Sequence, residues 1–203
     1  MDLGDAINDR IGQRIKQALE QPHINTQVQS AVKSNDVKAL KSVIFMAEQI
    51  PGFDLNGEDE EGITGLTQAC IQGNAEFVQL LLEAGCPAQP AEGFRHSPLR
   101  GATVCGNAHL ISPLLEAGAD PNALSEGNRT PLMGACFLRN GVDASKSAVC
   151  VGALLADPRT DPTIRNDFGE SALDLAKIRG YTESIALLEK ALAEWEKKES
   201  KEG

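Results

Sequence analysis

Histidine and cysteine are the residue types that most readily bind metals or act as nucleophiles, and in this sequence both are few and scattered. The three histidines, His23, His96 and His109, show no metal-ligand or catalytic spacing. The five cysteines are odd in number and dispersed, which is not typical of a disulfide framework. We therefore predict no catalytic residues, no metal, no cofactor and no enzymatic activity.

The charge balance is acidic and narrows the classes of partner. Lys and Arg total 19 against 29 Asp and Glu, a net charge of −10, whose field repels phosphate. No stretch reaches the roughly 18 apolar residues of a membrane-spanning helix, and the first residues lack the pattern of a signal peptide. We expect no nucleic-acid or membrane partner, and a cytoplasmic or nuclear location with reduced cysteines.

A repeated element must position whatever side chains act in this protein. Leu66, Leu99 and Leu132 recur every 33 residues, and the next equivalent, Leu173, follows after 41, so one unit carries eight added residues. Hydrophobic residues are 41% of the chain but aromatic residues only 4%, a composition that suits thin helical layers. The pattern predicts stacked pairs of short helices.

Start and stop signals support a helix at each repeat leucine. The leucines are preceded by hydroxyl residues that can cap a helix N-terminus, and some also by a proline suited to the first helical position. Glycines follow where a helix would end in the left-handed conformation. The predicted caps are Thr64, Ser97, Thr130 and Ser171, the prolines are Pro98 and Pro131, and the terminating glycines are Gly73, Gly106 and Gly180.

These motifs together resemble the ankyrin-repeat family over roughly residues 25 to 195. The first half of the unit is seen in Thr130-Pro131-Leu132, and the second half in Leu114-Leu115-Glu116-Ala117-Gly118-Ala119-Asp120-Pro121-Asn122. The resemblance implies an all-α solenoid of about five helix-turn-helix units joined by hairpin loops, and a role in binding other proteins. Each pair would be stabilised by stacking on its neighbours.

The expected organisation is a repeat domain at 24–198 between terminal caps. The first unit is weak and divergent, and of the four that follow it the third has the insertion, near Asn140. The predicted units are 24–57, 58–91, 92–124, 125–165 and 166–198.

The two ends and one proline depart from the simple repeat. Residues 1–23 form an amphipathic stripe that predicts a capping helix or, as an alternative, an oligomer-forming one. Trp195 is expected to cap the other end, and residues 199–203 to fray as a charged tail. Pro113 falls inside a second helix, where we expect a lost hydrogen bond and a kink.

The cysteines are interpreted through their place in the repeat. Cys70 and Cys136 occupy equivalent positions two units apart, about 20 Å at roughly 10 Å per helix layer, so core packing is expected and not a shared metal. Cys105 lies one residue further on and is expected to face solvent, either as an inert thiol or as a reactive one.

A partner-binding surface is predicted from the positions five and six residues after each repeat leucine. In the family these positions face the concave groove, and here the first of them is always apolar. They could instead lean between repeats as core. We predict that the groove and hairpin tips bind through Ile63, Ile71, Gln72, Phe94, His96, Val104, Cys105, Arg129, Phe137, Leu138, Phe168 and Ile178.

The hairpin tips also differ in charge. The run Glu58, Asp59, Glu60 and Glu61 is either a solvated loop or an acidic docking edge that contrasts with later basic tips at Arg95, His96, Arg129 and Arg165. Asn122 lies at a family position where asparagines can resemble substrates of an asparaginyl hydroxylase. The alternative is a structural role, in which Asn122 bonds to the hairpin backbone.

The sequence therefore predicts a non-enzymatic adaptor, scaffold or inhibitor that binds a protein or peptide as a monomer. The alternative is a structural protein that assembles through residues 1–23. A fold of this kind does not identify the partner.

Overall fold

The computed structural model describes residues 24–49, 55–89 and 96–202. Within these ranges the regular structure is helical, and isolated antiparallel bridges join Glu58 to Thr64, Ser125 to Arg129 and Arg165 to Ser171 in the hairpins. The α-helices are α1 (Ile24–Lys33), α2 (Val37–Gln49), α3 (Gly65–Gln72), α4 (Ala75–Glu83), α5 (Pro98–Val104), α6 (Ile111–Glu116), α7 (Pro131–Cys136), α8 (Ser145–Leu155), α9 (Ala172–Arg179) and α10 (Thr182–Glu202).

Some predictions concern residues outside the described ranges. They concern the helix at 1–23, which includes His23, and the hairpin residues Phe94 and Arg95. These remain predictions.

The described residues up to Gly65 form one compact unit. Its helices α1 and α2 pack against each other around buried Val28, Val32 and Leu40. The side-chain amide of Gln29 on α1 donates to the carbonyl oxygens of Gly57 and Ile63, each at 2.7 Å. One buried amide thus satisfies two hairpin carbonyls and fixes the hairpin to α1.

The described residues from Leu66 onward form the second compact unit, in which helices lie in two rows. In the first row α7 packs between α5 and α9, and in the second row α8 packs between α6 and α10. The largest fully buried side chains come from both rows and include Phe77, Leu81, Leu99, Leu114, Leu132 and Leu154. Each short pair therefore gains its core from the next pair, as the repeat predicts.

Three of the four predicted hydroxyl caps, both prolines and the terminating glycines are confirmed, and the cap at Thr64 stays a prediction. Ser97, Thr130 and Ser171 accept hydrogen bonds from the backbone N–H three residues later, and α5 and α7 begin at their prolines. Gly73, with φ of 75°, ends α3 in the left-handed region. A Cβ there would also lie 2.7 Å from Oδ1 of Asn107, so glycine is required at this position both by backbone conformation and by close approach.

The sequence predicts Pro113 in a helix interior, but it lies in the first turn of α6, and the kink expected there stays a prediction. A short 3₁₀ helix, Ala108–Leu110, precedes α6, and Pro113 is the third residue of α6. Because the first turn of an α-helix leaves its N–H groups without intrahelical partners, proline loses nothing there.

The connection after α7 and the last helix, α10, are both longer than the equivalent segments of the other repeats. Residues 137–144 connect α7 to α8, which places the added residues where the sequence predicts them. Helix α10 continues to Glu202, through the segment for which fraying was expected, and Trp195 on it is half-buried.

Ser171 is expected to stabilise α9 in a pH-dependent way. Its N–H and hydroxyl donate to Oδ2 of Asp174 at 2.9 and 2.7 Å, and these bonds hold the pKa of Asp174 below its usual value. A lowered folded-state pKa stabilises the fold above the unfolded pKa of about 4, and this contribution is lost as the pH falls through the folded value. We expect Ser171→Ala to cost about 1 kcal/mol at neutral pH and less near about pH 3.

Urea unfolding at both pH values measures this effect. Asp174→Asn is the control, because it cannot ionise and should remove the pH dependence of the Ser171→Ala loss. An equal loss at both pH values would contradict the assignment.

Candidate functional site

A pocket of about 350 Å³ opens on the α5, α7 and α9 row of the second unit. Five of the predicted binding residues line it, namely Val104, Arg129, Phe137, Phe168 and Ile178. Six further residues that line the pocket were not predicted from the sequence, namely Arg100, Met133, Gly134, Asn166, Glu170 and Leu175. The structure therefore brings together residues from three successive repeats, while their binding role stays a prediction.

Three apolar side chains of the pocket are strongly exposed. The exposed fraction is 48% for Phe137, 75% for Phe168 and 64% for Ile178. A cluster of exposed apolar groups on a folded protein is typical of an interaction surface, and aromatic residues often anchor binding.

The exposure of Phe137 follows from a change two residues after the repeat leucines. Glycine stands there in two units, and a Cβ at Gly101 would lie 3.2 Å from Ile71, as one at Gly134 would lie 3.0 Å from Val104. These glycines let Ile71 and Val104 pack half-buried against the next helix. In the last unit this position holds Leu175, which is only 6% exposed and lines the pocket. Phe137 therefore has no such space beside α9.

Phe137 is held in place from one side. The guanidinium of Arg179 lies 4.3 Å from the centroid of the ring, and its Nη2 donates to the carbonyl oxygen of Leu138 at 2.9 Å. This cation–π contact covers one face of the ring, so Phe137 is already ordered for a partner.

Phe168 is presented by an ordered hairpin. Oδ1 of Asn166 accepts hydrogen bonds from the N–H groups of Phe168 and Glu170, both at 2.9 Å, and its Nδ2 donates to Oε2 of Glu170. Because Asn166 is buried, this network fixes the backbone beneath the exposed ring.

The predicted binding role of Leu138 is wrong, because Leu138 is only 1% exposed. Helix α7 ends at Cys136, and the N–H of Arg139 donates to the carbonyl oxygen of Val104 at 2.8 Å. The chain therefore turns between residues 137 and 139, which directs Phe137 outward and Leu138 into the core.

The other predicted residues do not line the pocket. In the second unit Ile71, His96 and Cys105 are half-buried and Gln72 is exposed. Ile63 belongs to the first unit, where it is half-buried and its N–H donates to Oδ1 of Asp59.

Two arginines border the apolar surface without an ion pair to any residue in the described ranges, namely half-buried Arg100 and exposed Arg129. Nε of Arg100 is buried and has no hydrogen-bond partner there. Burial lowers the pKa of Arg100, and the charge of Arg129 lowers it further while Glu126 opposes the shift. The pocket therefore carries guanidinium donors that its own residues leave unused.

Burial raises the thiol pKa of four of the five cysteines. Burial raises the pKa of Cys136 to about 12 and that of Cys150 to about 11, and it also raises the pKa of Cys70. Cys105 is half-buried, not solvent-facing as expected, and burial raises its pKa although Arg139 and Lys146 oppose the shift. Core packing is thus confirmed for Cys70 and Cys136, and Cys105 lacks a thiolate environment.

The acidic hairpin has one structural member. Burial opposes ionisation of Asp59, but Lys33 at 2.9 Å and the N–H groups of Ile63 and Glu61 outweigh it and lower the pKa of this carboxyl. Glu58, Glu60 and Glu61 are exposed. Asp59 therefore holds the hairpin together and is already paired.

Later hairpins also use polar side chains for their own structure. Both amide atoms of Asn122 are engaged, with Nδ2 donating to the carbonyl oxygen of Arg159 at 2.7 Å and Oδ1 accepting from the N–H of Asp161 at 2.8 Å. Arg165 pairs with Asp174 at 3.1 Å. These contacts support the structural interpretation of Asn122 and leave Arg129 as the exposed basic tip near the pocket.

Two further features concern metal binding and membrane spanning. In the described ranges no three His, Cys, Asp or Glu side chains are grouped to hold a metal ion. None of the helices described there is both long and apolar enough to cross a membrane.

Comparison with known families identifies the repeat. The family model described as "Ankyrin repeats (3 copies)" matches residues 28–125. No curated protein matches the chain. Helix pairs with the same caps and the same row packing continue beyond the matched segment to α10. Residues 28–125 are thus ankyrin repeats by this match, and the helix pairs that follow them are similar to those repeats.

Proposed function

We propose that this protein is a non-enzymatic interaction module that binds a protein or peptide through the groove around Phe137, Phe168 and Ile178. Ankyrin repeats are generally protein–protein interaction modules. The observation that carries the proposal is the exposed apolar cluster, which is ordered by Arg179 and Asn166 before any partner arrives. An adaptor, scaffold or inhibitor role fits this surface.

The remaining features of the proposal follow from charge and from the family. A net charge of −10 disfavours nucleic acid and anionic membranes as partners. Ankyrin-repeat proteins are typically non-enzymatic, and the raised thiol pKa values agree with a protein that does no cysteine chemistry. We propose a monomer in the cytoplasm or nucleus.

Phe137→Asp is expected to abolish partner binding with little change in the midpoint of thermal unfolding, because it places a charge in an apolar contact but removes no core packing. The matched control is Val149→Asp, which adds the same charge at an exposed apolar residue of α8 outside the pocket. Quantitative affinity capture from native cells should lose the same partner with Phe137→Asp and retain it with Val149→Asp. Equal capture by both variants would show that this groove is not the site.

Assembly through residues 1–23 is the competing function. Light scattering of the full chain against a chain that starts at Ile24 separates the two. A concentration-dependent dimer that requires residues 1–23 supports assembly, and a monomer in both cases supports the interaction module.

A further inference from the structure

We infer that the segment bound in this pocket is an acidic-apolar peptide, in which a large apolar side chain stands next to a carboxylate. This inference rests on the proposed function and adds the chemistry of the partner. Its apolar side chain would pack between Phe137, Phe168 and Ile178, and its carboxylate would pair with Arg100 and Arg129.

The size and walls of the pocket favour one or two inserted side chains. Its volume of about 350 Å³ lies at the small end of the roughly 300–1,000 Å³ that ligand pockets span. Gly134 forms part of the wall, and a Cβ there would lie 2.8 Å from Oγ1 of Thr103. Because glycine lets α5 and α7 approach this closely, the wall is compact and the inserted group meets packed apolar surface.

The two arginines favour an anionic group on the same segment. Arg100 and Arg129 both line the pocket and repel each other, and Nε of Arg100 has no hydrogen-bond partner in the described ranges. A carboxylate between them would relieve the repulsion and accept hydrogen bonds from the terminal N–H groups of the two side chains, because guanidinium groups bind carboxylates with matched donor geometry.

The acidic residues nearby do not already fill this role. Glu126 acts on Arg100 through its charge but forms no ion pair with it among the described contacts, and Oε2 of Glu170 accepts a hydrogen bond from Asn166. The guanidinium groups of Arg100 and Arg129 therefore remain available to a partner, and the carboxylate of Glu170 beside Phe168 disfavours a second negative charge at that end.

A displayed library of random linear peptides, selected on the full chain, provides the probe. We expect enriched peptides to share an aromatic or aliphatic residue beside Asp or Glu. Fluorescence anisotropy of one enriched peptide against its amide analogue, with Asn or Gln in place of the acid, should show at least roughly tenfold weaker binding of the amide.

The double variant Arg100→Gln with Arg129→Gln should bind both peptides almost equally, because it keeps part of each aliphatic stem and removes the guanidinium. The control is Lys177→Gln with Lys190→Gln, which removes two exposed positive charges on α9 and α10 outside the pocket and should preserve the preference. Thermal unfolding of both variants shows that they remain folded.

The outcomes separate this inference from the proposed function. If Phe137→Asp abolishes binding but the amide analogue binds as well as the acid, the partner chemistry is wrong and the groove stands. If Phe137→Asp binds the enriched peptides unchanged, or if no peptide is enriched on the original chain over the Phe137→Asp chain, both the groove and the partner chemistry are wrong.

Discussion

Phe77→Ala is expected to lower the free energy of unfolding by about 3 to 5 kcal/mol, whereas Phe137→Ala should lower it by about 1 kcal/mol or less. Phe77 on α4 is completely buried, so truncation removes apolar burial and leaves a cavity. Phe137 is about half exposed and loses mainly its contact with Arg179. Urea unfolding followed by circular dichroism measures both values on the full chain.

The pair of substitutions separates core from groove with the same chemical change. Leu132→Ala serves as a second core control, because Leu132 is fully buried on the helix that ends beside Phe137. A cost at Phe137 as large as that at Phe77 would mean that Phe137 is core in solution, and the proposed binding surface would lose its central residue.

Asn107→Ala is expected to lower the free energy of unfolding by about 2 to 3 kcal/mol, a large effect for a partly exposed polar residue. Nδ2 of Asn107 donates to the carbonyl oxygens of Cys70 and Ile71 at 2.8 and 3.0 Å. These carbonyls lie in the last turn of α3, where carbonyls lack intrahelical partners, and the only other bond to them in the described ranges is a long one of 3.3 Å from the N–H of Gly73 to Cys70. The amide therefore links one repeat to the next, and its loss leaves the carbonyl of Ile71 unpaired and that of Cys70 with only the long bond from Gly73.

Asn107→Asp provides a sharper form of the same test. A carboxylate keeps the shape of the side chain but turns the donor into a negative charge facing two carbonyl oxygens, so at neutral pH it should cost more than alanine. The control is Asn140→Ala, because Asn140 is an exposed residue of the 137–144 connection. This substitution should change stability by about 0.5 kcal/mol or less. If Asn107→Asp were tolerated as well as Asn140→Ala, the amide would not hold these carbonyls.

The groove shows where sequence reasoning succeeded in part. The offset of five residues from each repeat leucine located Ile71, Val104, Phe137 and Ile178, but their environments differ. Ile71 and Val104 lean toward the next helix, as the core alternative expected, whereas Phe137 and Ile178 are exposed. The sequence does contain the difference between the half-buried and the exposed members, because Gly101, Gly134 and Leu175 occupy equivalent positions. Its effect depends, however, on which side chain of the neighbouring repeat packs against each of these positions.

Several features of this protein followed from the sequence by itself. The hydroxyl caps and the helix-ending glycines depend on interactions within a few residues. The 33-residue period and the burial of Leu66, Leu99 and Leu132 reflect a repeated pattern of burial. Residue type and spacing are therefore enough to predict these features.

Tertiary structure alone decided the pocket and the orientation of its neighbours. Phe137 and Leu138 are adjacent apolar residues, and contacts between repeats, among them the hydrogen bond from the N–H of Arg139 to the carbonyl of Val104, determine which of them is buried. The unused donor on Arg100 depends likewise on the absence of an acceptor on packed neighbours. Both outcomes depend on contacts between repeats, whose distances no single repeat encodes.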